Sequence, residues 1–128
     1  MKKILKVTVS ISILLFLIAI VGVVFITRGL KSGINLVVND VDLSSLSDGM
    51  YNGKYNAGRW SNEMNITIKE HKIIKIDVVK DVFFSKPEVT EALISKVLEK
   101  QNTNVDVISG ATVTSKAYLK AIENSLKQ

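Results

Sequence analysis

The residues with the clearest chemical potential form one stretch near the end of the chain, DVISGATVTS at residues 106–115. This pattern predicts a short extended segment, a turn of small residues and the start of a helix. Backbone N–H groups in the first turn of a helix lack intrahelical partners and, together with the helix dipole, attract anions. Gly110 and Ala111 would let a bulky ligand approach the backbone. The stretch is therefore either a site for a phosphate-bearing ligand or a helix start that Thr112, Thr114 or Ser115 merely caps, which is the commoner use of hydroxyl residues there.

The composition excludes several other chemistries. The 128 residues contain no Cys and one His, which excludes a disulfide framework, a thiolate metal site, a catalytic thiol and a multi-histidine metal or haem site. Five of the 17 basic residues lie in residues 1–31, and the other 12 balance the 12 acidic residues of residues 32–128. A domain without net charge releases few counterions from a phosphate backbone, so nucleic acid is not an expected partner.

An uncharged run of 21 residues extends from Val7 to Thr27. As a helix it would be about 31 Å long, close to the hydrocarbon thickness of a bilayer. Three lysines precede the run and two basic residues follow it, which favours a cytoplasmic N-terminus. The alternative is a cleaved signal peptide, but the run is long for a signal core and no small-x-small site closes it. We therefore expect an uncleaved single-pass anchor in the lipid of the cell membrane, with the rest of the chain extracytoplasmic.

The remaining pattern predicts three parts: a cytoplasmic tip and transmembrane helix at residues 1–29, a linker at 30–47 and a domain at 48–128. In the domain, residues 50–58 read as a first strand, and two alternating apolar runs at 64–68 and 74–78 predict a hairpin. The turn of this hairpin is predicted at Glu70 and His71. A tight turn here requires a positive φ angle, which residues other than glycine adopt less readily.

Two amphipathic helices are expected after the hairpin. Ser85, Pro87 and Glu88 form a typical helix start with serine as the N-cap. A second helix is expected over residues 114–127. Because strands and helices do not alternate regularly, the fold class is α+β, with an antiparallel sheet covered by helices.

The stretch at 106–115 closely resembles the flavinylation motif of the FMN-binding domain family, which includes the FMN-carrying subunits of the sodium-pumping NADH:quinone reductase and of the Rnf complex. The family pattern is an aspartate, a short spacer and Ser/Thr-Gly-Ala-Thr, matched here by Asp106, Ser109, Gly110, Ala111 and Thr112. The opening DGMYNGKY and the hairpin are also similar, so the resemblance covers residues 48–128. Val107 and His71 depart from common family residues, but neither removes an atom that the motif needs.

The resemblance implies that Thr112 carries FMN through a phosphoester. No neighbouring base activates this hydroxyl, so a separate FMN transferase, with FAD as donor and Mg²⁺, is expected to attach the flavin. The transferase would recognise Asp106 and the turn. The protein would then be an electron carrier at the outer face of the membrane rather than an enzyme, served by a quinone- or flavin-linked membrane reductase.

Further cofactor contacts are expected from the rest of the motif and from aromatic residues that could support the flavin ring. The expected residues are Ser109, Gly110, Ala111, Thr114, Ser115, Tyr51 and Trp60. Two alternatives stay open: a module that binds FMN or another phosphorylated ligand without a covalent bond, and a membrane-tethered interaction domain with no redox role.

Overall fold

The structure, a computed structural model, describes residues 1–127. It confirms the α+β class, with a long N-terminal helix, a three-stranded antiparallel sheet and further helices. In chain order the elements are α1 (Lys2–Thr27), α2 (Leu30–Ile34), β1 (Gly49–Tyr55), a 3-10 turn (Gly58–Trp60), β2 (Asn62–Lys69), β3 (Lys72–Lys80), α3 (Pro87–Lys100) and α4 (Thr112–Leu126).

Helix α1 is apolar around its whole circumference, and none of its residues is buried against the rest of the chain. It is long and apolar enough to cross a membrane, which is compatible with a single-pass anchor. At its C-terminal end Arg28 adopts an extended conformation and Gly29 has a φ of 89°, so the chain turns sharply into α2. The short helix α2 therefore does not continue α1 but follows it after this turn.

The sheet has the order β1-β2-β3, with both pairs antiparallel. Buried and half-buried residues alternate along β2, as expected for a strand with one face on the core. The alternation predicted over residues 74–78 is wrong at Ile74, which is 53% exposed while Ile73 is buried, because the pairing of β3 with β2 shifts register between Thr67 and Ile68. The hairpin between β2 and β3 is confirmed, and both turn residues, Glu70 and His71, have positive φ angles of 51° and 60°. This two-residue turn with two positive φ angles has the twist that flanking strands favour.

Helix α4 covers the sheet and supplies much of the core. Its buried face includes Ala117, Ala121 and Ile122, and the small side chains allow close packing on β1. Gly53 of β1 lies directly against the backbone of α4 near Ala121 and Ser125. Helix and strand thus meet backbone to backbone, with no room for a side chain between them.

Two predicted helix starts differ from the structure. The N-cap of α3 is Lys86, with no side-chain cap bond, so the expected Ser85 cap is wrong. Pro87 explains the difference, because proline is favoured at the first helical position and places the N-cap one residue before it. Helix α4 begins at Thr112, two residues before the expected start, and its N-cap is Ala111.

The segment predicted as a linker packs on the domain. Val41 and Leu46 are buried in the core, and Asn39 bonds to Glu123 of α4. The hydroxyl of Thr103 also donates to the Asn39 carbonyl at 2.6 Å. The boundary at residue 48 stays a prediction, but residues 39–46 are held in place rather than forming a free spacer.

Glu123 is the buried carboxylate that holds this segment. Its side chain is 1% exposed and accepts hydrogen bonds from the backbone and side-chain nitrogens of Asn39, both at 3.0 Å. Lys120 pairs with it at 3.0 Å, and Lys127 also pairs with it. Burial alone would raise the pKa of Glu123, but these bonds outweigh it and lower the pKa to about 2.

We expect the Glu123 network to make folding sensitive to acid. A carboxyl whose folded pKa is depressed stabilises the fold above its unfolded pKa, near 4.5, and this contribution is lost as the pH falls through the folded value of about 2. The contribution at neutral pH is at most about 3 kcal/mol. Thermal unfolding of the wild type and of Glu123→Gln between pH 6 and pH 2 measures it, since the difference in stability should shrink only below about pH 4.5. A difference that is constant across this range would contradict the assignment.

Candidate functional site

The motif forms a tight turn that leads directly into α4. The N–H of Ala111 donates to the carbonyl of Ile108 at 2.9 Å, and Gly110 has a φ of 77°. A Cβ placed on Gly110 would meet no atom within 4 Å. Glycine is therefore favoured here by backbone conformation rather than by crowding, and the space beside the turn is open.

This geometry gives a testable effect at Gly110. Gly110→Ala should cost about 1–2 kcal/mol, because an alanine in the left-handed region brings Cβ close to its own carbonyl. Gly110→Asn should cost less, since asparagine tolerates that region. Thermal unfolding of the two variants beside the wild type tests this order, and an alanine variant as stable as the wild type would contradict it.

The hydroxyl residues of the motif do not cap α4. The N-cap is Ala111, which has no capping side chain, and Thr112 is the first helical residue. The side chain of Thr112 is exposed, and its hydroxyl has no hydrogen-bond partner among residues 1–127. The capping alternative is therefore wrong in this structure, and Thr112 presents a free hydroxyl beside the N–H groups of the first helical turn.

Ser115, unlike Thr112, is not accessible to solvent. It is fully buried, and its hydroxyl accepts a hydrogen bond from the N–H of Ile108 at 3.1 Å. This bond joins the segment before the turn to the helix after it. We therefore assign Ser115 to holding the motif in shape rather than to contact with a cofactor.

Two clefts flank the motif. The first, of about 530 Å³, is lined by Leu30 and Ile34 of α2, by Trp60 and by residues 110–114. The second, of about 370 Å³, is lined by residues that include Phe84, Ser109 and Thr114. Both volumes lie in the range of small-molecule sites. The turn at Gly110 and Ala111 borders both clefts, and Thr112 itself lines the first.

Arg59 lines both clefts and was not foreseen from the sequence. Its Nε–H donates to the carbonyl of Ile26 at 2.9 Å, and its guanidinium lies 4.0 Å from the centroid of the Trp60 ring. Arginine combines stacking on aromatic rings with recognition of phosphate. The sequence does contain a signal that could have indicated Arg59: it is the only arginine in residues 32–128, and it directly precedes the single tryptophan.

Trp60 lines the first cleft beside the motif, but it is only 3% exposed. The side-chain amide of Asn62 donates to the carbonyls of Trp60 and Ala117, each at 3.1 Å. These bonds join the 3-10 turn to α4. Trp60 thus forms a wall beside the motif with most of its ring packed inside the domain.

Two other predicted residues lie elsewhere. Tyr51 of β1 lines neither cleft, and its hydroxyl donates to the Ser47 carbonyl at 2.8 Å. Asp106 is exposed on a separate groove that Lys96 and Lys100 also line. The structure therefore does not bring Tyr51 to the motif, whereas the Asp106 carboxylate is accessible to another protein.

The aromatic residue of α4 belongs to the core. Tyr118 is 1% exposed, and its hydroxyl bonds to Asp81 and to Thr90. Burial, reinforced by the bond to Asp81, raises the pKa of Tyr118 well above its ordinary value. Its role is to support the helix that presents Thr112.

Comparison with known proteins defines the class to which this fold and motif belong. A family model described as FMN-binding domain matches residues 5–127, so the chain belongs to that family. The resemblance read from the motif is confirmed, and the chain is a flavin-binding protein. Its N-terminal helix is compatible with membrane anchoring.

Two relatives show similarity over part of their lengths. The chain is 29% identical over 89 residues to an uncharacterized protein of Treponema pallidum (strain Nichols), covering 66% of this chain and 24% of that protein. It is 36% identical over 80 residues to NADH:acrylate oxidoreductase of Vibrio harveyi, covering 58% of this chain and 8% of that protein. The chain thus matches a quarter or less of the length of either relative.

Proposed function

We propose that the chain is a membrane-anchored flavoprotein that carries FMN covalently on Thr112 and relays electrons. The observation that carries the proposal is the position of this hydroxyl, exposed at the start of α4 and unpaired among residues 1–127. The family match supports FMN as the cofactor. The bound flavin would supply one- and two-electron chemistry, and the protein would place it.

The residues around Thr112 fit a phosphodiester. A negative charge at a helix N-terminus is stabilised by about 0.3–1 kcal/mol. The guanidinium of Arg59 borders both clefts and adds a positive charge. The open space beside Gly110 leaves room for the ribityl chain and the ring.

Attachment would require a second protein. No His, Asp or Glu lines either cleft in the described part of the chain, so no general base is placed to activate the threonine. We propose that an FMN transferase, with Mg²⁺, uses FAD as donor. The Thr112 oxygen would form a bond to the FMN phosphorus, AMP would leave and the hydroxyl proton would be released. The exposed carboxylate of Asp106 is available for recognition by the transferase.

We propose that the chain acts as an electron carrier, or as a subunit of a reductase, rather than as a self-contained catalyst. The name of the Vibrio harveyi relative is that of an oxidoreductase, which supports a redox role for the region that the two chains share. We propose a quinone- or flavin-linked membrane reductase as the redox partner.

We also propose that the domain lies at the outer face of the cell membrane. Three lysines precede the apolar run and two basic residues follow it, which favours a cytoplasmic N-terminus. Protease treatment of intact cells should therefore digest residues 32–128. Protection of those residues until the membrane is opened would overturn the orientation.

Intact-protein mass spectrometry tests the covalent bond. The full chain is produced with and without an FMN transferase and denatured before measurement. A mass increase of one FMN less one water, only with the transferase, supports the proposal. Flavin that separates on denaturation would instead indicate the reversible binding module. A colourless protein in both cultures would indicate the interaction domain without a redox role.

A further inference from the structure

The domain is seated directly on the C-terminal end of α1. The rings of Phe25 and Phe83 meet edge to face with centroids 5.8 Å apart. Arg59 donates to the Ile26 carbonyl at 2.9 Å, and Gly58 lies against the backbone of Arg28. Side-chain and backbone contacts thus join the last turn of α1 to the loops on either side of the motif.

Exposed apolar side chains surround this junction. They come from α2 and from the loop between β3 and α3, and we call them the apolar collar: Leu30 (38% exposed), Ile34 (51%), Phe83 (58%) and Phe84 (72%). Phe84 has a φ of 59°, in the left-handed region that bulky residues rarely adopt. The backbone thus holds a large aromatic ring in solvent in a strained conformation.

We propose that the apolar collar inserts into the interfacial layer of the same bilayer that α1 crosses. The inference rests on the anchor of the proposed function. The uncharged run ends at Thr27, so Phe25 lies about 3 Å from that end along the helix. Phe83 touches Phe25 and therefore lies at the edge of the hydrocarbon, where aromatic side chains are favoured.

The charges beside the collar fit a lipid surface. Arg28, Lys31 and Lys86 flank the four apolar residues, and the segments 28–34 and 83–87 contain no acidic residue. Basic residues next to an inserted apolar patch are attracted to anionic headgroups. Leu30 and Ile34 also line the larger cleft, and Phe84 lines the smaller one. Both clefts beside Thr112 therefore open at the bilayer surface, where a lipid-dissolved redox partner would meet the cofactor.

Site-directed spin labelling tests this placement without a change of background, because the chain has no Cys. Phe84→Cys reports on the collar. Ile74→Cys is the matched control. Ile74 is also exposed, at 53%, but lies about 20 Å along β3 from Lys80, which is the end of the strand nearer to Phe84. Val21→Cys reports on α1 itself. Each full-length variant is labelled and reconstituted in vesicles of phosphatidylcholine and phosphatidylglycerol.

The readout is the ratio of collision rates with oxygen, which concentrates in lipid, and with a water-soluble nickel chelate. We expect this ratio to be several-fold higher at position 84 than at position 74, and highest at position 21. Equal ratios at 84 and 74, with a high ratio at 21, would overturn the inference and leave the anchor intact. A low ratio at 21 would overturn both. A label at 84 that is shielded from both reagents would indicate contact with another protein or a second copy, which also overturns insertion.

Discussion

Thr112→Val should abolish covalent flavin incorporation completely. Valine has nearly the shape of threonine but lacks the oxygen that would form the phosphoester. Thr112 is the first residue of α4, and its side chain is exposed. In-gel flavin fluorescence of denatured protein, after production with the transferase, measures the effect. Because surface substitutions usually change stability by less than about 0.5 kcal/mol, loss of the band would not reflect unfolding.

Two variants serve as controls for this result. Thr114→Val makes the same change two residues further on, at a position that lines both clefts, and should keep the fluorescent band. Thr112→Ser keeps a hydroxyl and should keep at least part of it. A band in Thr112→Val would show that position 112 is not the attachment point. Equal loss of the band in Thr114→Val would show that the effect is not specific to the Thr112 oxygen and would remove this support for the proposal.

Gly53→Ala should destabilise the domain by about 3 kcal/mol, at the upper end of the range for overpacking. A Cβ at this position would overlap the carbonyl oxygen of Ala121 and lie 2.5 Å from the backbone nitrogen of Ser125. Both are backbone atoms of α4, so no side-chain rotation relieves the overlap. The helix would have to move away from β1, and the Asn62 bond to Ala117 and the position of Thr112 would shift with it.

Thermal unfolding of the full chain in detergent measures this effect, with fluorescence of the buried Trp60 as the probe. A loss of about 3 kcal/mol corresponds to a fall in Tm of roughly 10–20 °C for a domain of this size. Met50→Ala, on the same strand with a side chain 66% exposed, should change Tm by no more than a few degrees. Equal melting of Gly53→Ala and wild type would contradict the close approach of α4 to β1.

The features that could be predicted from the sequence depend on local signals. Alternation along β2, the turn at Glu70 and His71, and the amphipathic face of α4 are all set by residues near one another in the chain. The motif was also readable, because the turn, its glycine and the following helix occupy ten consecutive residues. The start of α4 was misplaced by two residues, because Thr112 was read as part of the turn rather than as the first residue of the helix.

The features that were missed depend on contacts between distant residues. Arg59 reaches the carbonyl of Ile26, 33 positions away, and Asn39 bonds to Glu123, 84 positions away. A polar segment such as 30–47 looks like a spacer until its partners on α4 are known. Tyr51 was expected near the cofactor from its residue type, but the strand register pairs it with Ile66 and places it outside both clefts.

The bonds of Glu123, Thr103 and Arg59 fix the chain on both sides of α2. A domain held in this way is not joined to α1 by a flexible linker, so it cannot swing toward a distant electron acceptor. In a bilayer its encounters would be governed by lateral diffusion of the whole molecule, so the viscosity of the lipid, and not the reach of a tether, would set how often electrons could be exchanged.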